Sequence, residues 1–178
     1  MAKWTIDTAH SVAAFSVKHM TVANVRGQFN NITGAVEFDQ ADPARSSVTA
    51  EIEVASITTG IRKRDDHLLS ADFFDAAKYP KITFKSTGVE TAGGNSARIS
   101  GDLTIHGITR AVTMEAEYFG PVKSPEALGG ETTIGFSASL TIDRRDFDVK
   151  WNVPLTGDAL MVGNEIRINL DIEADLAE

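Results

Sequence analysis

The chain contains no cysteine. Disulfide staples, thiolate nucleophiles and Cys-ligated metal centres are therefore excluded, and the fold must stand on its core alone. Long hydrophobic runs are missing too: none approaches the roughly 20 residues of a membrane-spanning helix. No basic and then apolar leader precedes the first alternating segment, so a cytoplasmic protein is expected. Positive charge is in deficit, with a formal net charge of −8. That balance argues against wrapping nucleic acid or adhering to an anionic lipid surface, so no nucleic-acid partner is expected. There is also no His-x-x-x-His spacing, no zinc-protease motif, no nucleophile elbow and no Gly-rich phosphate loop. No metal, no cofactor and no catalysis are expected.

What the sequence does contain is alternation. The 178 residues suit one domain spanning 1–178. Apolar residues recur at every second position through Trp4-Ile6, Ala13-Phe15-Val17, Val48-Ala50-Ile52-Val54, Ile82-Phe84, Ile99 to Ile105, Val112 to Tyr118, Ile134 to Ile142 and Ile166 to Ile172. Period two puts each set on one face of a strand. Between Val25 and Asp39 the parity changes: Val25, Gly27 and Phe29 are odd, whereas Ile32, Gly34, Val36 and Phe38 are even. One straight strand cannot keep both sets on one face, so a bulge or bend is expected near Asn30-Asn31. Asp42-Pro43, Gly93-Gly94-Asn95 and His106-Gly107 read as turns. Eight or nine strands with hairpin turns and no βαβ rhythm predict an all-β, antiparallel barrel or sandwich.

One long stretch, Ile57 to Ser86, breaks the rhythm. Ile61 to Leu69 fits a short helix, with Arg62 four residues before Asp66. Ser70 is placed to cap a second short turn. Tyr79-Pro80 ends the insertion, because the residue before proline is pushed out of the helical region.

This stretch resembles the hallmark of the YceI-like polyisoprenoid-binding family. The residues that carry the resemblance are Thr59-Gly60, Arg64-Asp65, His67-Leu68, Ser70, Asp72-Phe73-Phe74-Asp75, Tyr79-Pro80 and Ile82-x-Phe84-x-Ser86. Ile6-Asp7 with His10-Ser11, Val25-x-Gly27-x-Phe29, Gly101-x-Leu103-Thr104-Ile105-His106-Gly107, and Arg145-x-Phe147 with Trp151 extend it along the chain. The resemblance implies an antiparallel eight-stranded lipocalin-like β-barrel with a short helical insertion. It implies an apolar tunnel that binds, stores or transports a polyisoprenoid or other long-chain lipid, without catalysis. It also implies a homodimer, and loading such a ligand implies transient contact with a membrane.

The candidate ligand-binding residues follow. Phe15, Val17, Phe29, Val36, Phe38, Ile52, Ile82, Phe84, Leu103, Met114, Phe136 and Leu140 are expected to face the interior. Periodicity alone favours an ordinary filled core, and only the resemblance turns some of these positions into a lining; a filled barrel acting through its surface as a protein-interaction module is the alternative. Around the helix, Arg62, Arg64 and His67 are expected at the barrel mouth, where an arginine fork suits an anionic head group. Leu69, Phe73 and Phe74 are expected as a plug beside them. A third reading makes Asp65, Asp66 and His67 an acid–base or metal cluster with His10, His19 or His106. His10 is otherwise expected as a buried hydrogen-bonding residue. Arg144-Arg145-Asp146-Phe147-Asp148 with Trp151 is expected to close the opposite end, with an Arg145–Asp146 ion pair.

Energetics set the value of a head-group contact. Each five-carbon prenyl unit removed from water gains about 3–4 kcal/mol at most. A lipid leaving a bilayer is already out of water, so the apolar gain largely cancels. Discrimination between lipids then falls to tunnel shape and to a few polar contacts.

Overall fold

The computed structural model describes residues 1–177. Its architecture follows from long β-strands, several of which are bent by short turns. Strand β1 (Ala2–Ile6) and strand β2 (Val12–His19) are separated by a 3-10 turn at Thr8–His10. Both pair antiparallel with the last strand, β11 (Val162–Leu176): Ile6 lies opposite Ala174, and Val12 opposite Asp171. They are two halves of one bent strand. The same holds for β3 (Ala23–Phe29) and β4 (Ile32–Phe38), which pair with β2 and β1 respectively. It holds again for β5 (Ser47–Glu53) and β6 (Ile57–Thr58), interrupted by a 3-10 turn at Val54–Ser56.

The remaining strands are unbroken: β7 (Lys81–Gly93), β8 (Ser96–Ile105), β9 (Ile108–Lys123) and β10 (Thr132–Asp143). β7 pairs antiparallel with β5 and β8, each later strand pairs antiparallel with its neighbours in sequence, and β11 closes the ring onto β1 and β2. Eleven segments, six of them joined in pairs, thus make a closed antiparallel barrel of eight strands. Closure removes the exposed edges that an open sheet would present.

The bends line up across three neighbouring walls and are held by side chains. Thr8 Oγ1 donates to the Ile32 carbonyl (2.8 Å), and the amides of Asn30 and Asn31 both donate to Ser56 Oγ (3.1 Å each). The parity change in the sequence is this bend: β3 stops at Phe29 and β4 starts at Ile32.

Among the described residues β6 pairs only with β3, so the wall parts between β6 and the start of β7. The insertion fills that gap. Helix α1 (Arg62–Leu69) runs alongside, followed by turns in which Phe74 N–H donates to Leu68 O and Tyr79 N–H to Asp75 O. Pro80 O then accepts from Val54 N–H, stitching the insertion to the end of β5.

Two expectations about flanking residues change. His10 is a surface residue, its side chain 66% exposed, although it does bond Asp7 (2.6 Å). It sits on the outward side of the turn between β1 and β2, where water reaches it. Arg145 pairs with Asp143 (2.5 Å), because the 3-10 turn at Arg144–Phe147 folds Arg145 back over its own start.

Candidate functional site

Eight strands leave an interior wide enough to enclose a small ligand rather than only touch wall to wall. The barrel encloses a cavity of about 280 Å³. Its lining is almost wholly apolar, and it draws on every wall from the insertion at one end to the β7–β8 hairpin at the other. The decisive feature lies in the strands themselves. On β11 the inward residues Ile166, Ile168, Leu170 and Ile172 alternate with the exposed Glu165, Arg167, Asn169 and Asp171, yet are only half-buried. Phe15, Val17, Ala50, Ile52, Phe84, Phe136, Ala138 and Leu140 behave alike. Side chains in a filled core would be fully buried, because protein interiors pack to crystal density. Here the residual surface faces the cavity.

Every inward residue expected from the alternation lines this space: Phe15, Val17, Phe29, Val36, Phe38, Ile52, Ile82, Phe84, Leu103, Met114, Phe136 and Leu140. Phe73 and Phe74 join them. Small residues at Ala50, Ala116 and Ala138 keep the middle open. The β11 residues and the alanines were visible in the alternation; nothing in the period separates a lining position from a packing one.

The two ends differ. At one end Phe73, Val149, Ile105 and Phe147 are buried, with Phe147 only 2% exposed. Helix α1 contributes Leu68 to the lining. The Arg144–Phe147 turn and the loop after it close this same end and not the opposite one. His67 and Phe73 meet Trp151 at ring distances of 4.9 and 5.2 Å, so helix and loop are packed on each other. At the other end the lining reaches the exposed Thr91, Gly94, Asn95 and Glu117 and the half-buried Pro43, Ser46 and Ser47. This is the mouth. It is built from the β4–β5 loop and the β7–β8 hairpin, which the sequence marks as turns at Asp42-Pro43 and Gly93-Gly94-Asn95 but not as an entrance.

Four candidates around the helix stand away from the cavity. Arg62 is 94% exposed and faces Asp66 at 3.9 Å. Arg64 turns back along its own element: Nε donates to Thr59 Oγ1 (2.7 Å) and Nη2 to Thr59 O (2.8 Å). His67 bonds Asp72 (2.8 Å) and lies edge-on to Phe73. Leu69 packs against the core beneath α1 and does not line the cavity, which takes Leu68. The helix therefore acts as a stopper at the closed end, and its polar face points to solvent.

The acid–base grouping does not assemble either. Asp65 accepts from the amide and hydroxyl of Thr59 (2.8 and 2.5 Å), Asp66 faces Arg62, and His67 takes Asp72. His10 lies instead with Asp7 and Glu173, the cluster among the described residues whose ligand atoms have metal-like spacing. The Asp7 hydrogen bond raises the His10 pKa, and the same bond holds the Asp7 carboxyl below its usual range.

Besides Glu117 at the mouth, one buried charged residue reaches the cavity, Arg144, the neighbour of the Arg145 expected to form an ion pair. Arg144 is 5% exposed and lines the closed end. Its guanidinium donates to four backbone carbonyls: Gly163 (2.8 Å), Val149 (2.7 Å), Trp151 (3.0 Å) and Val162 (3.2 Å). These bonds tie the loop residues Val149 and Trp151 to the start of β11. Burial pulls its pKa below the ordinary arginine range.

The family model for the YceI-like domain matches residues 4–174. A UPF0312 protein of Vibrio parahaemolyticus is 37% identical over 169 residues, which is 94% of this chain and 86% of that protein. Among solved structures, BcnA of Burkholderia cenocepacia superposes with a TM-score of 0.79 at 28% identity, covering 94% of this chain and 98% of its own. A polyisoprenoid-binding domain of Saccharophagus degradans, described as implicated in plant cell wall breakdown, gives a TM-score of 0.71 at 14% identity over 99% of this chain and 100% of its own, a likeness of fold. With the closed barrel, the apolar cavity and a matched span that takes in nearly every strand, the chain belongs to the YceI-like family.

Proposed function

We propose that this protein binds a polyisoprenoid or other long-chain amphipathic lipid in its barrel cavity, and stores or carries it without chemical change. The observation that carries the reading is the row of inward apolar side chains left half-buried around a cavity of about 280 Å³. Apolar surface held open inside a protein is a standing cost, and an apolar chain laid along it recovers roughly 25 cal/mol per Å² covered. A concave, largely preformed apolar site with a few polar groups at its ends is the usual form of a small-molecule site. The likeness to a polyisoprenoid-binding domain points the same way. Loading from a bilayer requires transient contact with a membrane. Neighbouring inward side chains do pack, as Phe15 does on Phe29, but a filled core would bury them all, and Ile166, Ile168, Leu170 and Ile172 keep surface toward the cavity.

The test is native mass spectrometry of protein purified from its own organism, followed by organic extraction. A stoichiometric long-chain lipid is the expected result. A second arm uses Ala138→Phe, which pushes a ring into the cavity. That variant is expected to lose the lipid while keeping or raising its Tm. Bare polypeptide mass after incubation with prenyl lipids, or full lipid retention by Ala138→Phe, would overturn the reading.

A further inference from the structure

We propose that the closed end of the cavity holds the head group of a long-chain carboxylate, seated on the Arg144 guanidinium, with the tail running toward the mouth. The proposal rests on reading the cavity as a lipid site and names the head group that site selects.

A guanidinium carries five N–H donors. Four contacts to carbonyl oxygens are made here, one on Nε, two on Nη1 and one on Nη2, so one Nη2 N–H is left over. All four acceptors are neutral. The adjacent Asp143 carboxylate is turned to Arg145, and among the described residues no carboxylate pairs with Arg144. Asp143 acts on Arg144 only through space, and a cation 5% exposed at the edge of an apolar cavity with no carboxylate in contact is costly unless a ligand supplies one. Chain geometry fixes the loop through the four carbonyls; it does not balance the charge. A ligand anion does.

The mouth argues for the same orientation. Its polar lining residues are Ser46, Ser47, Thr91, Asn95, Ser96 and Glu117, among which there is no cation and one carboxylate. An anionic head is disfavoured there and favoured at Arg144. The charge of that head is also limited. One guanidinium with one spare donor matches a single negative charge and does not match a diphosphate. A carboxylic acid has a further advantage on the way in. With a pKa near 4.3, roughly one molecule in 500 is neutral at pH 7, so the acid can cross the apolar stretch protonated and ionise beside the arginine. A diphosphate has no accessible neutral form.

The experiment uses the unaltered protein and three probes of one chain length: hexadecanoic acid, its methyl ester and hexadecan-1-ol, each displacing a fluorescent apolar dye. The acid is expected to bind roughly tenfold or more tightly than either neutral probe, as a charge-assisted hydrogen bond would give. Equal or weaker binding of the acid, with ester and alcohol still bound, overturns this proposal and leaves the lipid-carrier reading intact. Failure of all three to displace the dye overturns both. Orientation is read separately, with hexadecanoic acid carrying ¹³C at its terminal methyl. Cross-relaxation from that methyl to Ala97 near the mouth is expected; cross-relaxation to Phe73 or Phe147 overturns the head-first placement.

Discussion

At the closed end of the barrel, Phe147 and Val149 are buried beneath a turn and a loop that Arg144 pins to the wall, and α1 lays Leu68 across the gap between β6 and β7. At the open end, Phe119, Val122 and Leu128 stand largely in solvent, and hairpins and loops meet without a plug. Both ends are made by the same device, strands that turn back on themselves. The difference is that one end receives a 22-residue insertion at 59–80 and an irregular loop at 144–161, and these pack on each other through His67, Phe73 and Trp151. A barrel with one sealed and one open end is a pocket with a direction.

The largest test of that contrast removes the seal. Phe147→Ala deletes a fully buried ring and is expected to lower the unfolding free energy by about 3–5 kcal/mol in urea titrations. Leu128→Ala at the open end is expected to change it by no more than about 0.5 kcal/mol. Equal effects would mean that the ends are not packed differently.

Glycines in left-handed turns sharpen the comparison. Gly107, in the β8–β9 hairpin at the closed end, has φ of 74°, and a Cβ there would lie 2.5 Å from Tyr79 Cε1. Gly94, in the β7–β8 hairpin at the mouth, has φ of 58°, and a Cβ would meet nothing within 4 Å. Gly94→Ala is expected to cost about 1–2 kcal/mol from backbone conformation alone. Gly107→Ala adds a steric term and is expected to cost about 1 kcal/mol more. A chemical-denaturation comparison of the two variants reads the difference.

A smaller effect is expected from Arg64→Ala, which cuts the two bonds to Thr59 at the root of α1. The expected loss is about 1–2 kcal/mol, with lipid affinity unchanged. Reduced affinity at unchanged stability would bring Arg64 back to the ligand.

The smallest lies between the ends, at Asp7 and His10. The His10 pKa is raised, so its charged contact stabilises fully below the unfolded histidine value near 6.5 and is lost as pH rises through the folded value. The Asp7 pKa is lowered, so its contribution is present above the unfolded carboxyl value and is lost as pH falls through the folded one. The Tm advantage over His10→Gln is therefore expected to peak between those limits and to shrink by pH 9. A gap that widens with pH would reverse the assignment.

Period-two alternation determined most of this molecule by itself. It named the strands, the interior faces, the bend at Asn30-Asn31 and the hairpin at His106-Gly107, because a pleated strand sends successive side chains to opposite sides whatever lies across from it. The insertion from Ile57 to Ser86 and its short helix were equally legible, as a loss of that period. Tertiary structure alone decided the rest. Whether Ile168 or Ala138 packs or lines a void depends on how far away the opposite wall stands, a property of strand number and tilt rather than of local sequence. That the helix and the Arg144–Phe147 turn close one end together depends on contacts between residues 67 and 151, which no local pattern relates. Arg144 and Arg145 are adjacent and chemically identical. Only the tight turn that sends one outward to Asp143 and the other beneath the loop gave one of them a surface ion pair and the other a place at the cavity.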